Sequence, residues 1–384
     1  MTALDTLLVQ AGEPRILGAI AMPVFQSAMY EDPPGGATDY HALRYIRLNN
    51  VPNHRAICEK LAAVEGAEAG VVTASGMSAI ATALMTFLGA GDHVLVQRCT
   101  YGGTHSLLTQ DLAHMGVRCD FIDDDPEVWQ RLCTDRTKVV LTEAMTNPLL
   151  DVPDHEALLE FARSAGLITM IDNTMASPIN FRPLALGYDL CLYSATKYLN
   201  GHSDIVAGAV LGSTEHIAAV KHRLDHLGAS MDPHAAFLLQ RGVKTLGLRM
   251  RQHNTSTLAI ARWLEAQPDV ARVRYPFLES HPHHARARRL FGGGGGVLSF
   301  ELDAPVEAAI LFVDSLQLAV KAPSFGGVET LVTRPAATSH AGVDPQERRS
   351  IGIADSLIRL AIGIEDTDDL LADVAQALDK ARGA

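Results

Sequence analysis

"GVVTASGMSAIATALMTFLGAGDHVLVQRC", residues 70–99, contains one full turn of the pattern that decides the fold. GVVTASG (70–76) is a short apolar run ending in a glycine turn. Residues 77–91 then repeat apolar side chains at helical spacing, and DHVLVQRC (92–99) reads as a buried strand. The rhythm continues: THSLLTQDLAHMG (104–116) and DHEALLEFARSAG (154–166) read as helices, with VRCDFID (117–123), KVVLTEA (138–144) and LITMIDN (167–173) as strands. Strands apolar on both faces and joined by helices imply a mainly parallel sheet covered on both sides. Ligands of such sheets sit beyond the C-terminal strand ends, where ASG (74–76), AMTNP (144–148), IDNT (171–174) and YSATK (193–197) fall.

The 384 residues suffice for one large domain and a smaller one, and 47% hydrophobic with 20% charged residues fits a packed fold. A formal charge of −12 argues against nonspecific binding to nucleic acid or an anionic membrane and turns attention to small-molecule chemistry. Cys58, Cys99, Cys119, Cys133 and Cys191 are scattered without a C-x-x-C pair, so they read as reduced thiols. The N-terminus has no leader pattern and no stretch gives eighteen uninterrupted apolar residues, which makes the cytoplasm the expected compartment. Residues 233–266 read as a long helical connector, with a domain boundary near 250. A smaller α/β unit follows, with strands in 297–303 and 358–365 and helices in 306–317 and 367–381. GGGGG (292–296) reads as a flexible turn before a strand, and HPHH (281–284) as a loop without the spacing of a metal site.

A single lysine after a strand is usually a solvated surface group. Lys197, however, is flanked by Ser194 and Thr196, hydroxyls suited to a phosphate beside a reactive amine. Such an amine can form the Schiff base that anchors pyridoxal phosphate. Asp172 ends an apolar strand, where a buried carboxylate needs a cation; a protonated pyridine nitrogen, an arginine or a helix cap would each serve. The turn at Gly76 leads into a helix whose first amides could take a phosphate, or it serves packing alone. Tyr101 in TYGGT (100–104) is available to stack on a planar ring, or simply belongs to a turn.

Read together, SATKYLNGHSDIVAGAV (194–210), ASGMSAI (74–80), YGGT (101–104), TNPLL (146–150), DNTMASP (172–178), GVKTLGLRM (242–250), SFGGVETL (324–331) and RLAIGIED (359–366) resemble the Cys/Met-metabolism, or trans-sulfuration, family of pyridoxal-phosphate enzymes, from about residue 5 to 380. The resemblance implies fold type I, the aminotransferase-like fold. Its large α/β domain carries a mainly parallel seven-stranded sheet and is followed by a smaller C-terminal α/β domain. Residues 1–50 would be an arm contributing to a neighbouring subunit's site, 51–250 the cofactor domain and 251–384 the smaller domain. Lys197 would hold pyridoxal 5'-phosphate and move protons, Asp172 would pair with the pyridine nitrogen, and Tyr101 would stack on the ring. Gly76, Met77, Ser194 and Thr196 would grip the phosphate. Arg359, with Asn147 and Ser324 nearby, would bind the substrate carboxylate. Tyr45 and Arg47, in YIRLNN (45–50), would reach the phosphate of the neighbouring subunit, implying a homo-oligomer, commonly a homotetramer with shared active sites. NNVPN (49–53) is one residue longer than the family pattern, which bears on the substrate entrance.

For the reaction, Glu329 matches an acidic position that would receive the distal ammonium of cystathionine; otherwise it is a surface helix residue. Gly103 stands where methionine γ-lyases carry cysteine. The expectation is a C–S γ-lyase acting on L-cystathionine. Cystathionine γ-synthase chemistry on an O-acylhomoserine, β-lyase and methionine γ-lyase activity stay open, as do transamination and a binding protein without turnover.

Overall fold

The computed structural model describes residues 2–32, 34–36, 40, 43–338, 341 and 344–382. Two sheets organise it. The first comprises β1 (Ala69–Thr73), β2 (His93–Gln97), β3 (Arg118–Ile122), β4 (Thr137–Glu143), β5 (Ile168–Asp172), β6 (Leu190–Tyr193) and β7 (Gly208–Gly212). Their order is β1-β7-β6-β5-β4-β2-β3, and only β7 runs against the rest. Successive side chains alternate between two buried layers. Val71, Val94, Val96, Leu141, Leu192 and Val210 face one core, while Val72, Ile171, Cys191 and Leu211 face another. Both faces are therefore covered, which is why the strands read as continuous apolar runs.

The second sheet has order β10-β11-β12-β9-β8, from β8 (Val270–Arg274), β9 (Val297–Leu302), β10 (Val320–Lys321), β11 (Leu331–Thr333) and β12 (Ile358–Ala361). β9 and β12 match the strands read from sequence. β8, β10 and β11 escape that reading because β8 is largely exposed and the other two span only a few residues. Helices Val306–Ser315 and Thr367–Ala381 pack together beside this sheet.

The connector at 233–266 is two helices, Pro233–Val243 and Leu246–Glu265, rather than one. Buried Arg249 holds the break, donating to Gly242 O at 2.8 Å and to Tyr198 O at 2.7 Å, which ties it to the turn after Lys197. Residue 250 lies inside the second helix. Its core is continuous from Val72 and Ile171 of the first sheet to Leu298 and Leu360 of the second.

The glycine run corrects its flexible reading. Gly293–Gly296 are buried, and a side chain at Gly294 would meet the Tyr275 ring at 2.5 Å. Their backbone is pinned by Asn254 Oδ1 on Gly295 N–H (2.9 Å) and by Tyr198 Oη on Gly296 N–H (2.8 Å). Glycine here permits close approach and not freedom. Near the N-terminus, helix Leu4–Gln10 packs on helix Pro52–Glu65, and the fully buried Lys60 ammonium donates to Leu8 O at 2.8 Å. The NNVPN segment is a brace. Asn49, at φ 46°, donates to Val72 O, and Asn53 holds both Phe25 N–H and Pro23 O. Among the described residues no helix is long and apolar enough to cross a membrane.

Beneath β6, Tyr193 Oη donates to Glu65 Oε2 at 2.6 Å. Burial pushes the Glu65 carboxyl up to about 8, so it folds as the neutral acid. A folded pKa above the unfolded value gives stability that is fully present below pH 4.5 and is lost as pH rises through about 8. Glu65→Gln is therefore expected to be more stable than the parent by on the order of 1 kcal/mol or more at pH 8. The gain should shrink toward pH 5, as read by urea denaturation at the two pH values.

Candidate active site

The strand ends named from sequence converge on one cavity of about 640 Å³. At the end of β1, Ser75 caps helix Gly76–Phe87 by accepting from Ser78 N–H at 3.0 Å. The first amides of a helix have no intrahelical acceptor, so Gly76 and Met77 present N–H groups with the favourable end of the helix dipole. Gly76 is required by contact: a Cβ there would lie 2.6 Å from the Cβ of Ser194, at the end of β6. Ser194 N–H in turn donates to Thr174 Oγ1 at 2.8 Å. Thr196 Oγ1 accepts from Ala207 N–H at 2.9 Å and donates to Ala207 O at a longer 3.2 Å.

Asp172 ends β5. Thr174 donates to its Oδ1 from both N–H (2.9 Å) and hydroxyl, which leaves Oδ2 for a ligand. Burial raises its pKa, and the two Thr174 bonds oppose that shift. Lys197 lies in the turn after β6, where its Nζ donates to Ser324 Oγ at 2.6 Å. Burial first, and then the charge of Arg359, push the Lys197 amine down to about 8. Arg359 extends from β12 of the second sheet. Its Nη1 donates to Asn147 Oδ1 at 3.0 Å and its Nη2 to Ser324 O at 2.8 Å, while the buried Nε has no partner among the described residues. Burial lowers even this guanidinium to about 10. Ser324 receives both cations with φ at 122°, a region that non-glycine residues rarely occupy.

Lys197, Asp172, Tyr101, Gly76, Met77, Ser194, Thr196, Asn147, Ser324 and Arg359 thus all line one cavity. Three expected residues do not. Arg47 donates to Asp225 O at 2.6 Å and to the Tyr40 hydroxyl, and it lies over the Tyr45 ring. Neither Arg47 nor Tyr45 lines this chain's cavity, and neither do residues 49–53. Glu329 does not line it either. It is exposed in a non-helical bend that follows Gly326, at φ 82°, and accepts from Ser203 Oγ at 3.1 Å. Sequence reasoning missed Glu143, Thr174, Val206, Pro323 and Phe325, all of which line the cavity. Glu143 ends β4 as Asp172 ends β5, so the strand-end argument applied to that aspartate would have found it. At HPHH, His283 Nδ1 accepts from Val152 N–H at 3.0 Å, and His281 Nδ1 accepts from His283 N–H at 3.1 Å.

An open carboxylate oxygen, helix-start amides without an intrahelical acceptor, a partly neutral lysine and an orphaned guanidinium N–H in one cleft fit pyridoxal phosphate, an anion bearing a pyridine nitrogen and an aldehyde. The fold and this cleft define a fold type I pyridoxal-phosphate enzyme. The model of the Cys/Met metabolism PLP-dependent enzyme family matches residues 5–379, and the chain belongs to that family. It is 39% identical to an O-succinylhomoserine sulfhydrylase of Pseudomonas aeruginosa, over 98% of this chain and 95% of that protein. It superposes with a TM-score of 0.96 on a cystathionine γ-synthase of Xanthomonas oryzae pv. oryzae solved with aminoacrylate and cysteine, at 36% identity over 100% of this chain and 99% of the other. It superposes with a TM-score of 0.95 on a cystathionine γ-lyase of Lactobacillus plantarum complexed with L-serine, at 34% identity over 99% of this chain and 100% of the other. Relatives of similar identity thus carry different activities.

A side chain at position 76 must push the helix start off Ser194. Gly76→Ala is therefore expected to weaken pyridoxal-phosphate binding by about tenfold or more, the loss of one or two charge-assisted hydrogen bonds, with little change in far-UV circular dichroism. Equilibrium dialysis against the cofactor reads the loss.

Proposed function

We propose that this chain is a carbon–sulfur lyase acting at the γ-carbon of L-cystathionine, releasing cysteine, 2-oxobutanoate and ammonia. The observation that carries the reading is the amine of Lys197, held 2.6 Å from Ser324 Oγ and shifted toward neutrality in the same cleft as Arg359 and Asn147. Pyridoxal phosphate, when bound, supplies the electron sink that makes loss of the substrate's α-proton feasible. Lys197 would hold the cofactor, and its amine, when free, would take the proton from the substrate's α-carbon and carry it within the site. A pKa near 8 leaves a useful neutral fraction at physiological pH, as a general base requires.

Asp172 would offer its open oxygen to the ring nitrogen, and Tyr101 would cover the ring. Gly76 and Met77 amides, with the hydroxyls of Ser194 and Thr196, would hold the phosphate. Arg359 and Asn147 bind the substrate carboxylate beside Ser324, a forked contact that lysine could not reproduce. Tyr45 and Arg47 would serve the phosphate of a second copy, in a homotetramer working in the cytoplasm. Residues 1–50 would then form its exchanged arm, 51–250 the cofactor domain and 251–384 the smaller domain.

One observation favours a second reading, γ-replacement on an O-acylhomoserine. With Glu329 outside the lining, Ile80, Val206, Pro323 and Phe325 supply much of the remaining wall, an apolar surface that suits a neutral ester side chain such as O-acetyl better than the distal ammonium of cystathionine. Incubation of the purified enzyme with L-cystathionine separates the readings. 2-Oxobutanoate with cysteine is expected, reduced about 10³-fold or more in Lys197→Ala. Pyruvate with homocysteine would make the enzyme a β-lyase. Absence of any keto acid from a cofactor-loaded protein that condenses O-acylhomoserine with a thiol would establish the replacement reading instead.

A further inference from the structure

Glu143 is a buried carboxyl in the cavity for which the chemistry above has no use. It ends β4 in register with Asp172 of β5, which puts two carboxyl groups on one side of the sheet at neighbouring strand ends. Its Oε1 accepts from Tyr101 N–H at 2.6 Å and from Thr100 Oγ1 at 2.9 Å. The strand end carrying it is itself fixed, since Gln97 Oε1 accepts from Glu143 N–H at 2.8 Å.

Tyr101 needs such an anchor. Its side chain is 43% exposed, and the helix that follows, Gly102–Ser106, has no side-chain cap. The ring lies against Gly103, where an added Cβ would come within 2.6 Å of Tyr101 Cε1 and 2.9 Å of Met77 Sδ. The ring thus packs on one side against Gly103 and is open on the other, so the backbone at Thr100–Tyr101 also sets its direction. We propose that Glu143 is a positioning residue that locks this turn through Oε1 and so holds the Tyr101 ring over the cavity. Burial first, and then the neighbouring Asp172, push the Glu143 carboxyl up to about 8, so an uncharged carbonyl acceptor reproduces its state at neutral pH. The proposal rests on the reading that Tyr101 covers the cofactor ring.

Two measurements test the two halves separately. Hydrogen exchange of the peptide containing Tyr101, in the cofactor-free protein, reads the anchor; the visible circular dichroism of the bound cofactor in the holoenzyme reads the ring. Glu143→Ala and the bulkier Glu143→Met, either of which suffices if the other fails to fold, should exchange at Tyr101 about tenfold faster and lose at least roughly half the dichroic band. Glu143→Gln should stay within about threefold in exchange and keep the band. Wild-type exchange in Ala and Met, or a Gln variant as loose as Ala, would overturn the proposal. Faster exchange with an unchanged band would uphold the hold on Tyr101 and count instead against the stacking role given to that ring.

Discussion

Ser324 holds two cations at once, its hydroxyl accepting from Lys197 and its carbonyl from Arg359. Burial, and then the charge of Arg359, raise the cost of ionising Lys197. Burial lowers the Arg359 guanidinium as well, to about 10, which still leaves it charged beside the Lys197 amine at about 8. The left-handed backbone at Ser324 is the local strain that this arrangement requires. A nucleophilic amine at neutral pH is the result.

That arrangement joins two sheets. Lys197 follows a strand of the first, whereas Arg359 lies on a strand of the second, so the site is only as well defined as the packing between them. The continuous core supplies most of that definition. Polar pins add to it: Arg249 ties the break between two helices to the backbone after Lys197, and Tyr198 holds the buried glycine run before β9. Tyr198 follows Lys197 directly, so the residue carrying the chemistry is also next to the joint.

The strand-end argument made much of this legible before any coordinates. Val71 and Val72, facing opposite cores, betray a sheet covered on both sides, and Gly76, Asp172, Ser194 and Lys197 fall where such a sheet exposes its ends. Other features had no local signal. Glu329 stands five residues beyond Ser324 in a segment without a period, so its direction is set by glycine turns that spacing does not encode. β10 and β11 are too short to alternate detectably, and the helix break at Lys244–Thr245 depends on an arginine that reaches back from the following helix. Arg47 and Tyr45 do not reach this chain's cavity; Arg47 is held instead on Asp225 O, a contact with no signal in the local pattern.

The central claim, that burial beside Arg359 makes Lys197 an unusually acidic amine, is tested most directly by the rate at which the cofactor-free protein takes up pyridoxal phosphate as pH is raised. Only the neutral amine attacks the aldehyde, so the rate follows the deprotonated fraction. The account predicts a half-maximal rate near pH 8, levelling off above it. A rate still climbing through pH 10, as the ordinary lysine value of 10.5 requires, would contradict it.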